Sequence, residues 1–143
     1  LANPRSVREY RNGTVTNLAA IAMSIDLKPS QALGLWHAAT LAQLELVGPD
    51  LTMRQLVILL HIYLMPPPHT VRGLAARLDV TKPVITRALD TLGNMGLVRR
   101  VRDERDRRNV IIKRTVEGSL FVEKIGDLII KEAAKLPRDG VTG

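Results

Sequence analysis

The spacing of apolar residues predicts that the first half of the chain is helical. Apolar side chains recur at helical intervals over residues 14–27 and again over 31–47. A third helix is predicted over 52–65, because Thr52 and Gln55 have the spacing of a capping box. The helices over 31–47 and 52–65 are apolar on nearly every side, and such helices need burial on every side. Since a chain of 143 residues has limited interior, we expect a homodimer whose interface covers them.

The second half has helical spacing, except for two short segments joined by a charged loop at 103–108. This pattern predicts a short helix over 71–78, a helix over 81–95, strands over 97–102 and 109–115, and a helix over 116–136. Two short helices followed by a β-hairpin form a winged helix-turn-helix. The predicted fold class is therefore mainly α with a small β-hairpin wing.

Composition narrows the possible functions. The chain has no cysteine and three widely spaced histidines, so we expect no disulfide framework, no metal site and no cofactor. No apolar run is long enough to span a bilayer, so no membrane partner is expected. The stretch 18–25 faintly resembles the apolar part of a signal peptide, but Asp26 and Lys28 follow it, and a cytoplasmic location is expected.

Charge is concentrated in the predicted hairpin. Residues 99–114 hold eight basic and three acidic side chains, a net charge of +5 out of +7 for the whole chain. Such a cluster directly after a helix-turn-helix pattern indicates a nucleic acid as the partner. Residues 103–108 form the predicted tip of the wing. Asp103 and Asp106 are expected to orient neighbouring arginines there and to hold the shape of the loop, and an arginine so held could enter the minor groove.

The second helix of such a pair presents its outward residues to base edges in the major groove. The outward residues of helix 81–95 are predicted to be Lys82, Pro83, Ile85, Thr86, Arg87 and Asp90. Arg87 can donate two hydrogen bonds to a guanine, and Thr86 or Pro83 can contact a thymine methyl. Thr81 and Lys82 lie at the positive end of the helix, which suits phosphate oxygens. An apolar Ile85 on the solvent face favours a DNA-binding role for this helix over a helix whose outer face contacts only water.

Two segments carry a family resemblance. Residues 51–62, LTMRQLVILLHI, and residues 74–118, from LAARLDV to TVEG, resemble the MarR family of bacterial transcription regulators. The wing signature of that family is similar to the set Asp103, Arg105, Asp106, Arg108, Val110, Thr115 and Gly118.

The resemblance implies one domain over 1–143 that dimerises through helices at about 14–50 and 116–136. It implies a DNA-binding lobe over about 51–115 and a homodimeric repressor on a pseudo-palindromic operator of double-stranded DNA. The implied contacts are Thr81, Lys82, Pro83, Thr86 and Arg87 in the helix, and Arg105, Asp106, Arg107 and Arg108 in the wing. A small amphipathic or aromatic effector is a further implied partner.

Three features depart from the family pattern. Arg114 replaces the usual leucine, and it is expected to disturb the packing under the wing unless it finds an acidic partner. The segment 1–29 adds a helix longer than the usual N-terminal arm, and the absence of cysteine argues against the peroxide-sensing branch.

Several alternatives stay open at this point. Trp36, His37, His61, Tyr63 and Met65 would border an effector pocket, but each suits an ordinary core or interface position, so the ligand-binding residues are unknown. A winged-helix module that grips an acidic protein without binding DNA is the second functional class. An enzyme is the third, although no catalytic grouping has a telling spacing.

Overall fold

The computed structural model describes residues 27–46 and 48–136. In order, the elements are α1 (Pro29–Leu46), α2 (Met53–Leu64), β1 (His69–Thr70), α3 (Val71–Leu78), α4 (Lys82–Asn94), β2 (Val98–Arg102), β3 (Val110–Arg114) and α5 (Val116–Ala133). The predicted fold class, mainly α with a β wing, is confirmed. Residues 14–26 of the helix predicted over 14–27 lie outside the described residues.

Polar residues start the helices where the sequence indicates. The Thr52 side chain accepts the Gln55 N–H and the Gln55 side chain accepts the Thr52 N–H, which completes the capping box of α2. The side chains of Thr70 and Thr115 accept the N–H groups of Gly73 and Gly118 and so cap α3 and α5. Thr81 occupies the N-cap position of α4, but its side chain makes no capping hydrogen bond.

The sheet has three antiparallel strands in the order β1-β3-β2. Strand β1 is absent from the sequence-based prediction, because a strand of two residues is too short to show an alternating pattern. In the hairpin, Arg100 lies opposite Ile112, and Arg99 lies opposite Lys113. Since successive side chains point to opposite faces, these two pairs belong to different faces of the sheet.

One hydrophobic core joins α2, α3, α4, the sheet and the first half of α5. Its fully buried side chains are Ile58, Leu59, Ile62, Leu74, Ile85, Leu89 and Leu92. Helix α5 contributes Phe121 and Ile125 to this core. Helix α1 packs against α5. The core therefore sets the position of α4 and the wing relative to each other.

Helix α1 and the outer side of α5 leave apolar surface uncovered. Ala39 is the buried apolar residue on α1, whereas Leu33 is 68% exposed and Trp36 is 49% exposed. On α5, Val116 is 73% exposed and Ile130 is 69% exposed. None of the helices in the described ranges has the length and apolarity that a membrane crossing requires.

Candidate nucleic-acid interface

The start of α4 presents most of the predicted contact residues to solvent. Thr81, Lys82, Pro83 and Arg87 are exposed, and Thr86 is partly buried. The Thr86 hydroxyl donates to the Lys82 carbonyl at 3.0 Å, so its polar atom is engaged within the helix. The methyl group of Thr86 is then its feature best suited to an external contact.

Ile85 does not belong to this exposed set. Its exposure is 0%, and it lies in the core with Leu89 and Leu92. These residues follow the i, i+4, i+7 spacing of a single helix face, which the core covers. The predicted outward position of Ile85 is therefore wrong, and the exposed face of α4 is polar.

An ion pair joins α4 to the hairpin. Arg100 on β2 contacts the Asp90 carboxylate at 2.5 Å. Asp90 is exposed on α4, as the sequence predicts, but it meets a residue of the same chain. The inner face of the hairpin is thus tied to the helix, and Arg100 is neutralised by Asp90.

The two aspartates at the wing tip bind backbone amides. The Asp103 carboxylate accepts the Arg105 N–H at 2.9 Å, and the Asp106 carboxylate accepts the Arg108 N–H at 3.1 Å. The Asn109 N–H also donates to the Asp106 carbonyl. Aspartate side chains that bond to the backbone two residues on stabilise tight turns.

The aspartates therefore shape the loop without pairing with its guanidinium groups. The side chains of Arg105, Arg107 and Arg108 are exposed, and no salt bridge to them exists in the described part of the chain. The wing tip is a fixed loop with three cations facing solvent.

Arg114 finds carbonyl partners. Its Nε–H donates to the Ile62 carbonyl at 2.8 Å, and its Nη2 donates to the Met65 carbonyl at 3.0 Å. Its guanidinium carbon lies 5.8 Å from the centroid of the Tyr63 ring. The last carbonyls of a helix are unpaired and carry negative partial charge, which favours a cation. The expectation that Arg114 requires an acidic partner is therefore wrong.

Tyr63 forms the centre of a polar junction that sequence reasoning missed. Its hydroxyl donates to the Leu97 carbonyl at 2.7 Å and accepts the Thr115 N–H at 3.0 Å. The Thr115 hydroxyl donates to the Gly96 carbonyl at 2.6 Å. A Cβ at Gly118 would lie 1.8 Å from the Tyr63 hydroxyl, so glycine is required there. The junction fixes the start of α5 against both ends of the hairpin, and only the Thr-x-x-Gly spacing hinted at it.

A surface cleft of about 490 Å³ lies between the start of α2 and α4. Its lining consists of Thr52, Met53, Arg54, Gln55, Val84, Arg87, Ala88 and Thr91. The predicted border residues of an effector pocket do not line this cleft; they are Trp36, His37, His61, Tyr63 and Met65. Arg54 and Arg87 both line this cleft, and the sequence pattern did not single out Arg54.

His61 on α2 packs against His69 on β1. Its ring contacts the ring of His69 at a centroid distance of 5.6 Å. Burial lowers the pKa of His61 below its usual value of 6.5, and the nearby His69 and Arg77 lower it further. In the described ranges, no group of three or more His, Asp or Glu side chains could hold a metal ion.

Comparisons with known proteins agree with this architecture. The sequence model of the MarR family matches residues 51–110. No curated protein matches the chain by sequence.

Solved structures with a similar fold cover most of the chain. The transcriptional regulator Tm0710 from Thermotoga maritima superposes with a TM-score of 0.63 at 22% identity, covering 84% of this chain and 78% of that chain. A mutant of MepR from S. aureus bound to an oligodeoxyribonucleotide gives 0.65 at 21% identity, covering 80% and 88%. PcaV from Streptomyces coelicolor, in complex with its natural ligand, gives 0.53 at 26% identity, covering 80% and 86%. Residues 51–110 thus match the MarR family, and the winged-helix fold around them is similar to that of solved transcriptional regulators.

Proposed function

We propose that the chain is a sequence-specific regulator that binds double-stranded operator DNA as a homodimer. The observation that carries the proposal is the pairing of two exposed cationic elements on one lobe. These elements are the start of α4, with Lys82 and Arg87, and the wing tip, with its three arginines. The neighbouring acids Asp90, Asp103 and Asp106 are bonded within the chain and leave these cations available.

The α4 residues divide into positioning and reading roles. Thr81 and Lys82, at the helix N-terminus, contact phosphate oxygens and set the register of the helix. Because the Thr81 side chain makes no capping bond, its hydroxyl is available for such a contact. Arg87 reads a guanine through two hydrogen bonds, and Pro83 and the Thr86 methyl meet a thymine methyl.

The wing supplies contacts beyond the major groove. With the turn held by Asp103 and Asp106, the guanidinium groups of Arg105, Arg107 and Arg108 reach the minor groove and its flanking phosphates. The role of Asp106 is to present the Arg108 backbone and side chain in one orientation. It therefore contributes to binding without touching a base.

The homodimer forms through the helices at the two ends of the chain. The uncovered apolar side chains of α1 and α5 include Leu33, Leu44, Leu120 and Ile130. Contiguous exposed apolar surface of this kind indicates an interaction site. We assign dimerisation to the helices at about 14–50 and 116–136, and DNA binding to the lobe over 51–115. Two identical lobes related by a twofold axis require a pseudo-palindromic operator.

Repression and release by a small effector complete the proposal. PcaV, a structural neighbour, has been solved with its natural ligand. In the present chain, the cleft beside α4 combines apolar Met53, Val84 and Ala88 with the cations Arg54 and Arg87. A small amphipathic anion in this cleft competes for Arg87, and occupancy therefore weakens DNA binding.

A selection experiment tests the proposal directly. We expect the purified protein to enrich a common, inverted-repeat motif from a library of random duplexes. Its affinity for that motif should fall steeply with salt, because phosphate contacts release counterions. If no motif is enriched and the affinity for duplexes is independent of salt, the chain is a protein-interaction module and the proposal is wrong.

A further inference from the structure

The outer face of the wing sheet carries two cations in direct opposition. Arg99 on β2 and Lys113 on β3 are Cα partners in the antiparallel register, and both are exposed. Side chains of directly opposite residues lie about 5 Å apart at Cβ. Like charges at this spacing destabilise a hairpin, so the pair costs stability in the free protein.

This pair lies on the opposite face from the contacts that secure the hairpin to the lobe. Val98 and Ile112 are buried, and Arg100 binds Asp90 on α4, which defines the inner face. Alternation along both strands places Arg99 and Lys113 on the outer face. The next residues on that face are Val101 and Ile111, both partly buried and apolar.

No acid among the described residues forms a salt bridge with the pair. In the described part of the chain, the two salt bridges are Arg100–Asp90 and Lys135–Glu132, and neither involves Arg99 or Lys113. The nearest acid along this face of β2, Asp103, uses its carboxylate to hold the wing turn. The outer face therefore presents two uncompensated positive charges on a rigid, hydrogen-bonded sheet.

We infer that the Arg99–Lys113 pair binds the phosphate backbone of duplex DNA that flanks the operator. The inference rests on the proposed function, and it assigns a second, sequence-independent contact surface to the same lobe. Duplex DNA is the occupant that the charges favour, because its phosphates provide negative charge over a long surface. The pair lies four residues, or about 13 Å, from the start of the wing tip along β2. A duplex held by the wing tip thus has further phosphates within reach of the pair.

The contact has a distinct energetic signature. It adds affinity without reading bases, so it extends the bound length of DNA and leaves the recognised motif unchanged. Each phosphate that is neutralised adds about 0.9 to the slope of log affinity against log salt. Two phosphates would therefore add about 1.8 per protomer.

The experiment compares two duplexes that contain the selected motif, one with short ends and one extended on both sides. The variant is Arg99→Gln with Lys113→Gln, and the control is Arg72→Gln with Arg77→Gln. The control arginines lie on α3, outside the wing and the dimerisation helices, and their replacement removes the same charge. We expect wild type and control to bind the extended duplex more tightly than the short one, whereas the variant binds both equally. Between 50 and 200 mM salt, wild type should lose roughly tenfold more affinity per protomer than the variant.

The outcomes are distinguishable from failure of the proposed function. If wild type binds neither duplex, both the proposed function and this inference are wrong. If wild type and variant prefer the extended duplex equally, this inference alone is wrong. An acidic protein is the occupant instead if poly-glutamate binds wild type but not the variant while the preference for flanking DNA is unchanged.

Thermal unfolding without DNA provides a second measurement. Since the variant removes a like-charge pair, its unfolding midpoint should equal or exceed that of wild type. A lower midpoint would show that the two side chains stabilise the hairpin, and it would contradict the inference.

Discussion

The winged-helix lobe and the pair α1 and α5 differ in how they cover their apolar residues. Within the lobe, one continuous core buries side chains from three helices and the sheet. Along α1, Ala39 is the buried apolar residue, and eight of the eleven large exposed apolar residues of the described ranges belong to α1 or α5. The lobe thus contains its own stabilising contacts, whereas the two outer helices need a further surface. In the proposed function, the lobe binds DNA and the two outer helices join the protomers.

Disruption of the outer helices gives the largest expected effect. Leu33→Glu combined with Ile130→Glu should weaken dimerisation about a hundredfold or more, because uncompensated buried carboxylates cost several kcal/mol each. Sedimentation velocity over a range of protein concentrations measures this change. Circular dichroism should show that the lobe stays folded. A dimer of unchanged affinity would show that the comparison assigns the interface to the wrong surface.

Shortening a buried side chain tests whether the core of the lobe supplies its stability. Leu89→Ala should lower the free energy of unfolding by about 2–5 kcal/mol, since Leu89 is fully buried. Val57→Ala, at a residue that is 41% exposed on α2, is the control and should change it by less than about 1 kcal/mol. Urea unfolding measures both. Equal losses would mean that the lobe core is not the source of stability.

The junction between the two regions gives a smaller effect. Gly118→Ala should destabilise the protein by about 1–3 kcal/mol, because the added Cβ meets the Tyr63 hydroxyl and the Leu97 carbonyl. Gly126→Ala on the same helix meets nothing within 4 Å and should stabilise by about 0.5–1 kcal/mol. Thermal unfolding of the two variants distinguishes close packing at the junction from a general effect of alanine in α5.

The pH dependence of stability is the smallest expected effect. Folding lowers the pKa of His61, so the unfolded chain binds the proton more readily. The contribution of neutral His61 to the free energy of unfolding is fully present above pH 6.5. It is lost as the pH falls from 6.5 through the lower pKa of the folded state. Urea unfolding at several pH values measures this loss. His61→Gln should flatten the dependence below 6.5, and an unchanged profile would contradict the assignment.

The sequence predicted the elements that have strong local signals. The capping box at Thr52 located α2, and the spacing of apolar residues located α3 and α5. The two long strands lie where the sequence placed them, on either side of the charged loop. The wing aspartates were correctly expected to hold the loop, but the atoms they bind are backbone amides. Sequence spacing places a carboxylate close to an arginine. It does not decide whether the carboxylate binds the backbone amide of that arginine or its guanidinium group.

Long-range contacts were beyond the sequence pattern. Arg114 binds carbonyls 49 and 52 residues away, and the Tyr63 junction joins segments 34 and 52 residues apart. Ile85 was predicted to point outward, whereas the core covers it together with Ala88, Leu89 and Leu92. Such details depend on how elements pack, which local periodicity does not specify.

The affinity of Arg87→Ala for the selected duplex tests the central claim most directly. Arg87 is exposed on α4 and is proposed to read a guanine, so its loss should weaken binding roughly ten- to a hundredfold and relax the preference at one base pair. Arg72→Ala on α3 removes the same charge at an exposed residue outside α4, the wing and the dimerisation helices, and it should bind like wild type. Equal affinity of Arg87→Ala and wild type for the duplex would contradict the account of α4 as the DNA-reading helix.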